Sequence, residues 1–310
     1  MNLLTRNNIS KLTLGTAALG LPYVVFGKQA DKKSLSGGEL IQLARNAGIT
    51  CFDTARGYGT AEHLLGNSLG QHKTIDAVIV SKFKWSAAAC SDLNLAIQEA
   101  SRSVRESLAQ LNIASLPICL FHMESSLDAH AVQQILPQVF SHLKNEGLIE
   151  TAGISLDHPM EIKYFIDQDI YDVYQIPLNI FDQRLISSVY WQKILNSDKT
   201  VFIRSVFLKG LLIQQPDNLT GNLVTAAPYL EQLRELAQQA KMSVAQFCFS
   251  YIRDLPITSS IIIGPADEQQ LAENIALLEG SSIPKAIVQK AEILFKHIPE
   301  PLLTPRLWKI

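Results

Sequence analysis

Short, uninterrupted apolar runs recur along the whole chain, and they constrain its fold more than any other feature. They are Lys11–Gly15, Thr50–Asp53, Ala77–Ser81, Ile118–Phe121, Thr151–Ser155, Val173–Pro177, Val201–Ser205 and Ser260–Ile263. Apolarity that is continuous rather than alternating marks strands buried on both faces, as in a parallel sheet. Amphipathic helical patterns lie between the runs. The clearest spans Ser91–Leu111, with Ser91 as its cap and Leu93, Ile97, Ala100, Val104, Leu108 and Leu111 at spacings of three and four. A second, near Tyr229–Ala240, puts Leu230, Leu233, Ala237 and Ala240 on one face. A third starts at Ser243, where Ser243 and Gln246 have the capping-box spacing. Further helices are expected near Gly38–Ala47, Ala61–Leu69, Ala131–Asn145, Leu185–Asn196, Glu268–Leu278 and Lys285–His297.

Eight strands alternating with helices, and no linker between them, predict one domain over residues 1–310 with the architecture of a (β/α)8 TIM barrel. A doubly wound open sheet is the alternative. It would announce a phosphate loop as G-x-G-x-x-G, and Gly15-Thr16-Ala17-Ala18-Leu19-Gly20 lacks the middle glycine. The tail 299–310, with three prolines and Trp308, is expected to be extended.

Composition excludes several classes of function. The net charge is −2 with scattered Lys and Arg, so nucleic acid is not the expected partner. No run of about 18 apolar residues predicts a membrane span. Leu19–Phe26 is short and broken by Pro22, so a secretory leader is not expected. Cys51, Cys90, Cys119 and Cys248 form no C-x-x-C pair, which suits a reducing cytoplasm. The sequon at Asn218 then carries no meaning. A monomer or small homo-oligomer acting on a small molecule is expected.

Barrel enzymes place their chemistry at the C-terminal ends of the strands. Asp53 ends the second run, Tyr58 follows on its loop, Lys82 ends the third and His122 the fourth. Free tyrosine is a weak acid, with a pKa of about 10. A nearby ammonium favours its phenolate, and a carboxylate keeps that ammonium charged and in place. A histidine at the mouth can polarise a carbonyl or relay a proton. Lys82 as a Schiff-base nucleophile is disfavoured by the carboxylate that keeps it charged. A metal at His122 and Glu124 lacks further ligands nearby in the sequence.

The segment Phe52-Asp53-Thr54-Ala55-Arg56-Gly57-Tyr58-Gly59, continuing to Leu65-Gly66, resembles the aldo-keto reductase signature. Val80-Ser81-Lys82-Phe83 and Leu120-Phe121-His122 resemble that family's lysine and histidine strands, in the same order. The resemblance runs from about Leu12 to Leu278. It implies NADP-dependent interconversion of a carbonyl, including a sugar carbonyl, and an alcohol. Tyr58 would be the general acid/base, tuned by Lys82 and Asp53, with His122 orienting the carbonyl. A cofactor-binding barrel with a regulatory role is the alternative.

By the same resemblance Ser155 and Gln175 would hold the nicotinamide carboxamide, although Leu156 stands where the family usually has Asn. Arg204, Ser205, Phe207, Lys209 and Gly210 would follow the pyrophosphate, and Gly264, Gln270 and Asn274 the adenosine; Thr16, after the first strand, joins the cofactor set. No Arg or Lys stands between Gly264 and Asn274 to clamp a 2′-phosphate, so NAD is admitted beside NADP. Tyr23, Phe26, Trp85 and Phe181 are candidates to line the substrate pocket.

Overall fold

The computed structural model describes residues 8–21, 36–70 and 77–309. Each apolar run becomes a strand: β1 Leu12–Gly15, β2 Cys51–Asp53, β3 Val78–Phe83, β4 Leu116–His122, β5 Ile149–Ser155, β6 Val173–Pro177, β7 Thr200–Arg204 and β8 Ser260–Ile263. All pair in parallel in chain order, and β8 returns to β1 to close the barrel.

Closure explains why the runs are apolar without a break, because a barrel strand has two buried faces. Outward residues such as Phe52, Ile79, Phe121 and Ile154 meet the helices, whereas Cys51, Val78, Val80, Ile118, Leu120, Val173 and Phe202 form a separate cluster inside the barrel. Gly153 belongs to this inner layer, where a Cβ would stand 2.2 Å from the Val173 carbonyl oxygen.

The helices differ from expectation mainly at their ends. The long one is Leu93–Leu111, and its cap is Asp92, whose carboxylate accepts from Leu95 N at 3.0 Å. Ser91 instead closes the 3-10 turn Ala87–Ser91 and donates to the Ala88 carbonyl. At Ser243 half of the capping box forms: Ser243 Oγ accepts from Gln246 N, but the Gln246 amide reaches Ser250 and the Leu277 carbonyl. The helix expected over 185–196 is only Val189–Leu195, because the Leu185 carbonyl is turned onto Ser188.

The tail is not extended. Pro301 lies in the first turn of a short helix, Glu300–Leu303, where its missing N–H costs nothing, and a 3-10 turn follows at Pro305–Leu307. Leu302 and Leu303 are buried, and Arg306 pairs with Asp157 in the loop after β5. No helix among the described residues is long and apolar enough to cross a membrane.

Candidate active site

The inner layer of the barrel predicts where its polar rim lies. Side chains of a strand alternate, so an inward residue is followed by another two positions later. Cys51 leads to Asp53, Val80 to Lys82, Leu120 to His122, Gly153 to Ser155, Val173 to Gln175 and Phe202 to Arg204. Strand pairing aligns them, with His122 opposite Ser155 and Ser155 opposite Gln175. Six strands thus present one polar group each above the apolar layer.

Lys82, 2% exposed, donates to the Asp53 carboxylate at 2.7 Å and to the Thr54 carbonyl oxygen at 2.8 Å. Burial makes each charge depend on the other, since either left alone would be strongly unfavourable. Asp53 also accepts from Gln175 Nε2 at 2.7 Å, and Gln175 Oε1 accepts from Ser155 Oγ at 2.8 Å. Four strands are joined in this chain. Lys82 Nζ stands 5.0 Å from the centre of the Tyr58 ring, and that ring meets His122 edge-on at 6.4 Å. Lys82 meets Tyr58 across the ring, and among the described residues no hydrogen bond joins its ammonium to the hydroxyl.

Burial pushes the His122 imidazole down to about 2, with the nearby charges of Lys82, Lys84 and Arg204 adding to the effect. A neutral imidazole keeps one N–H to donate and one nitrogen to accept.

The Tyr58 loop is held by close backbone packing. Gly59 has φ +60°, and a Cβ on Gly20 would lie 1.9 Å from the Tyr58 carbonyl oxygen. Arg56 on the same loop pairs with Glu106 at 3.1 Å and with Glu62 at 3.5 Å. Glu62 is 1% exposed and accepts from Ser81 Oγ at 2.6 Å, beside Lys82. Sequence reasoning gave Glu62 no role. A carboxylate at an inward position of an otherwise amphipathic helix, Ala61–Gly70, was the available signal.

The candidate cofactor residues lie on the opposite side. Arg204 Nη2 donates to the Leu156 carbonyl at 2.8 Å and Nη1 to Ser205 Oγ at 3.1 Å, while Nε is shielded from solvent without a partner. The Leu156 side chain is fully buried in the outer core. Beyond β7 the backbone is left-handed at Ser205 (φ 64°), Leu208 (φ 48°), Lys209 (φ 50°) and Gly210 (φ 88°). For residues other than glycine such conformations cost on the order of 1–2 kcal/mol each, and turned backbone of this kind makes concavities for anions. Phe207 is half-buried, and its carbonyl accepts from Gly210 N.

After β8, Gly264 is exposed and open, and Asn274 donates to the Gln270 carbonyl at 2.6 Å. Asp267 caps the helix Glu268–Ala276, accepting from Gln270 N at 2.8 Å and Gln270 Nε2 at 3.0 Å. Thr16 is fully buried, and its hydroxyl donates to the Asp53 carbonyl rather than facing the mouth. Trp85 packs on Phe121 at 4.4 Å and Phe181 on Phe295 at 4.7 Å, which places both among core side chains rather than along an open pocket. Tyr23 and Phe26 lie outside the described residues. Glu124 pairs with Lys84 at 2.5 Å.

A closed eight-stranded barrel whose rim gathers a phenol, an ammonium, a carboxylate and an imidazole defines a class of barrel oxidoreductases. The family model described as "Aldo/keto reductase family" matches residues 11–293, and the chain belongs to that family. It is 26% identical over 290 residues to "Uncharacterized oxidoreductase YqkF" of Bacillus subtilis, covering 86% of this chain and 90% of the relative. It is 22% identical to the "Probable voltage-gated potassium channel subunit beta" of Oryza sativa, with 94% of both chains covered. Among solved structures it is similar to aldo-keto reductase AKR11C1 from Bacillus halodurans in its holo form (TM-score 0.72, 19% identity, 92% of each chain). The glycerol dehydrogenase AKR11B4 from Gluconobacter oxydans is also similar (TM-score 0.68, 19% identity, 94% of this chain and 93% of that one).

Proposed function

We propose that this protein interconverts a carbonyl and its alcohol with NAD(P)H, and that Tyr58 is the general acid/base. The observation that carries the proposal is the buried Lys82, held by Asp53 at 2.7 Å and standing 5.0 Å from the centre of the Tyr58 ring. Beside this fixed ammonium, Tyr58 is the group placed to give a proton to the carbonyl oxygen in reduction and take one in oxidation. Asp53 holds Lys82 in a buried ion pair, which disfavours its use as a nucleophile. His122, neutral at ordinary pH, donates a hydrogen bond to the same oxygen and orients it.

The residues present fit a nicotinamide dinucleotide. Ser155 and Gln175 offer a hydroxyl and an amide for the carboxamide, in exchange for the bond they now make with each other. The left-handed turn at Ser205–Gly210, with Phe207 and Lys209, suits the pyrophosphate, and Gly264, Gln270 and Asn274 suit the adenosine. Thr16 supports this set from below through the Asp53 backbone. The bound cofactor would supply the hydride. Both NADPH and NADH are proposed, because the helix after β8 begins with two carboxylates, Asp267 and Glu268, and a 2′-phosphate finds no cation there. The substrate class proposed is a small carbonyl compound, sugars included.

The test is a titration of nicotinamide fluorescence with NADPH and NADH, followed by a panel of carbonyl compounds, on wild type and Tyr58→Phe. We expect turnover to fall by about 10²–10⁴ in the variant, with cofactor affinity unchanged. Cofactor binding without turnover of any carbonyl in the wild type would favour a regulatory barrel instead.

A further inference from the structure

Lys84 and Glu124 lie just beyond β3 and β4 and take no part in the proton transfer proposed above. Alternation along the strands fixes which way they point. On β3, Val78 and Val80 face the barrel interior, and Lys82 follows them at the rim. Phe83 and Trp85 both belong to the outer core, so Lys84 between them turns to the mouth. On β4, Phe121 and Met123 belong to the outer core, so His122 and Glu124 take the opposite side. Met123 N donates to the Ser155 carbonyl oxygen at 2.9 Å, so strand pairing runs on past His122. The register aligns Phe83 with Phe121, and one step further it sets Lys84 beside His122. The charge of Lys84 acts on the His122 imidazole from there.

Lys84 Nζ donates to Glu124 Oε1 at 2.5 Å and so bridges the two strands one step outside Lys82 and His122. The two side chains are 42% and 40% exposed, and neither has another partner among the described residues. An exposed ion pair of this kind adds little stability. Two ammonium N–H groups and the second carboxylate oxygen remain unused. Apart from Thr16, the cofactor candidates stand on or after β5 to β8, so this pair borders the other flank of a carbonyl held by His122. An apolar chain laid across the pair strips water from two charges and returns nothing. A hydroxylated chain replaces that water: one hydroxyl donates to the carboxylate, and its neighbour accepts from the ammonium. A charged substituent gains nothing comparable, because one member of the pair repels what the other attracts.

We propose that Lys84 and Glu124 together bind vicinal hydroxyls of the substrate, so that the preferred substrates are neutral polyhydroxylated carbonyl compounds and polyols rather than apolar ones. This rests on the carbonyl-reductase proposal above and narrows the substrate class of the same site.

The experiment compares partners that differ in hydroxyls away from the reacting carbon: erythrulose with 1-hydroxy-2-butanone in reduction, and xylitol with 1-pentanol in oxidation. Each is measured with wild type, Glu124→Leu, Glu124→Gln and Lys84→Met. The readout is the selectivity, kcat/KM for the hydroxylated partner divided by that for its mate, in which intrinsic reactivity and a general loss of active protein cancel between variants. Wild type is expected to prefer the hydroxylated partner. Glu124→Leu should lower the selectivity by roughly 10- to 100-fold, through a raised KM for the hydroxylated partner. Lys84→Met should lower it in the same direction, and Glu124→Gln, which still accepts a hydrogen bond, should recover part of the loss.

The proposal is overturned if wild type turns over each apolar compound at least as well as its hydroxylated mate. It is also overturned if the selectivity of Glu124→Leu and Lys84→Met stays within about twofold of wild type, for then the pair only joins two loops. Should no carbonyl or alcohol turn over, the reductase proposal fails by itself. Saturation-transfer NMR of cofactor-loaded protein with xylitol and 1-pentanol then decides the matter of the pair. Binding of xylitol alone, lost in Glu124→Leu, supports it, and no preference for xylitol ends it.

Discussion

On the β2–β4 side of the mouth the polar groups are closed on one another. Lys82, Asp53 and Thr54 meet at 2.7–2.8 Å, Gln175 completes Asp53, and the Tyr58 loop is clamped by Gly20 packing and by Arg56. On the β7–β8 side they are left open. Arg204 Nε has no partner, three residues other than glycine between Ser205 and Lys209 hold positive φ, and the helix after β8 caps itself with Asp267. One side is organised before any ligand arrives, and the other holds strained backbone and unused donors suited to a ligand. Changes in the closed group should therefore appear in turnover and stability, and changes on the open side in cofactor binding and selectivity.

The largest effect that tests this contrast is expected at Lys82. Lys82→Met leaves Asp53 buried without its cation, which should cost about 3–5 kcal/mol in denaturant unfolding and abolish turnover. A loss below about 1 kcal/mol would show that the pair is not structurally closed. Next comes Gly20→Ala. A Cβ 1.9 Å from the Tyr58 carbonyl forces the loop to move, so stability should fall by about 1–3 kcal/mol and kcat should fall with cofactor affinity kept. An unchanged kcat would mean that the loop does not position Tyr58.

On the open side, Asp267→Arg replaces a capping carboxylate by a cation. The ratio of NADPH to NADH affinity should rise about tenfold, near 1.4 kcal/mol, in a fluorescence titration. No change would place the 2′-phosphate elsewhere. The smallest expected effect concerns His122. Its imidazole is pushed down to about 2, so its NMR shifts should not titrate between pH 5 and 8. The sign for stability follows from linkage. Below about pH 6.5 the unfolded chain binds a proton at this histidine that the native state refuses, so the contribution is intact above pH 6.5 and lost as pH falls toward 2. Replacing His122 by Gln should flatten that part of the unfolding profile.

Much of the fold and half of the site could be read along the chain. The eight apolar runs correspond to the eight strands within a few residues, because burial on both faces writes itself into consecutive positions. The positions of Asp53, Lys82 and His122 at strand ends were equally visible, since no other Asp, Lys or His stands on β2, β3 or β4. Helix ends were less legible: Ser91 and Asp92 are both good caps, and the preceding 3-10 turn decided between them. The tail misled because proline forbids a helix interior but not a first turn. Trp85 and Phe181 read as pocket candidates, whereas contacts with Phe121 and Phe295, far along the chain, bury them.

The sequence by itself determined the strand count, the parallel order and which strands end in chemistry, since these depend on local composition and on period. Only the tertiary structure decided which polar groups meet: Gln175 with Asp53 across 122 positions, Arg204 with the Leu156 carbonyl across 48, and Glu62 beneath the Tyr58 loop. Partners of that kind are set by closure of the barrel and by the register between neighbouring strands. A closing distance in space leaves no trace in the spacing of residues along a chain.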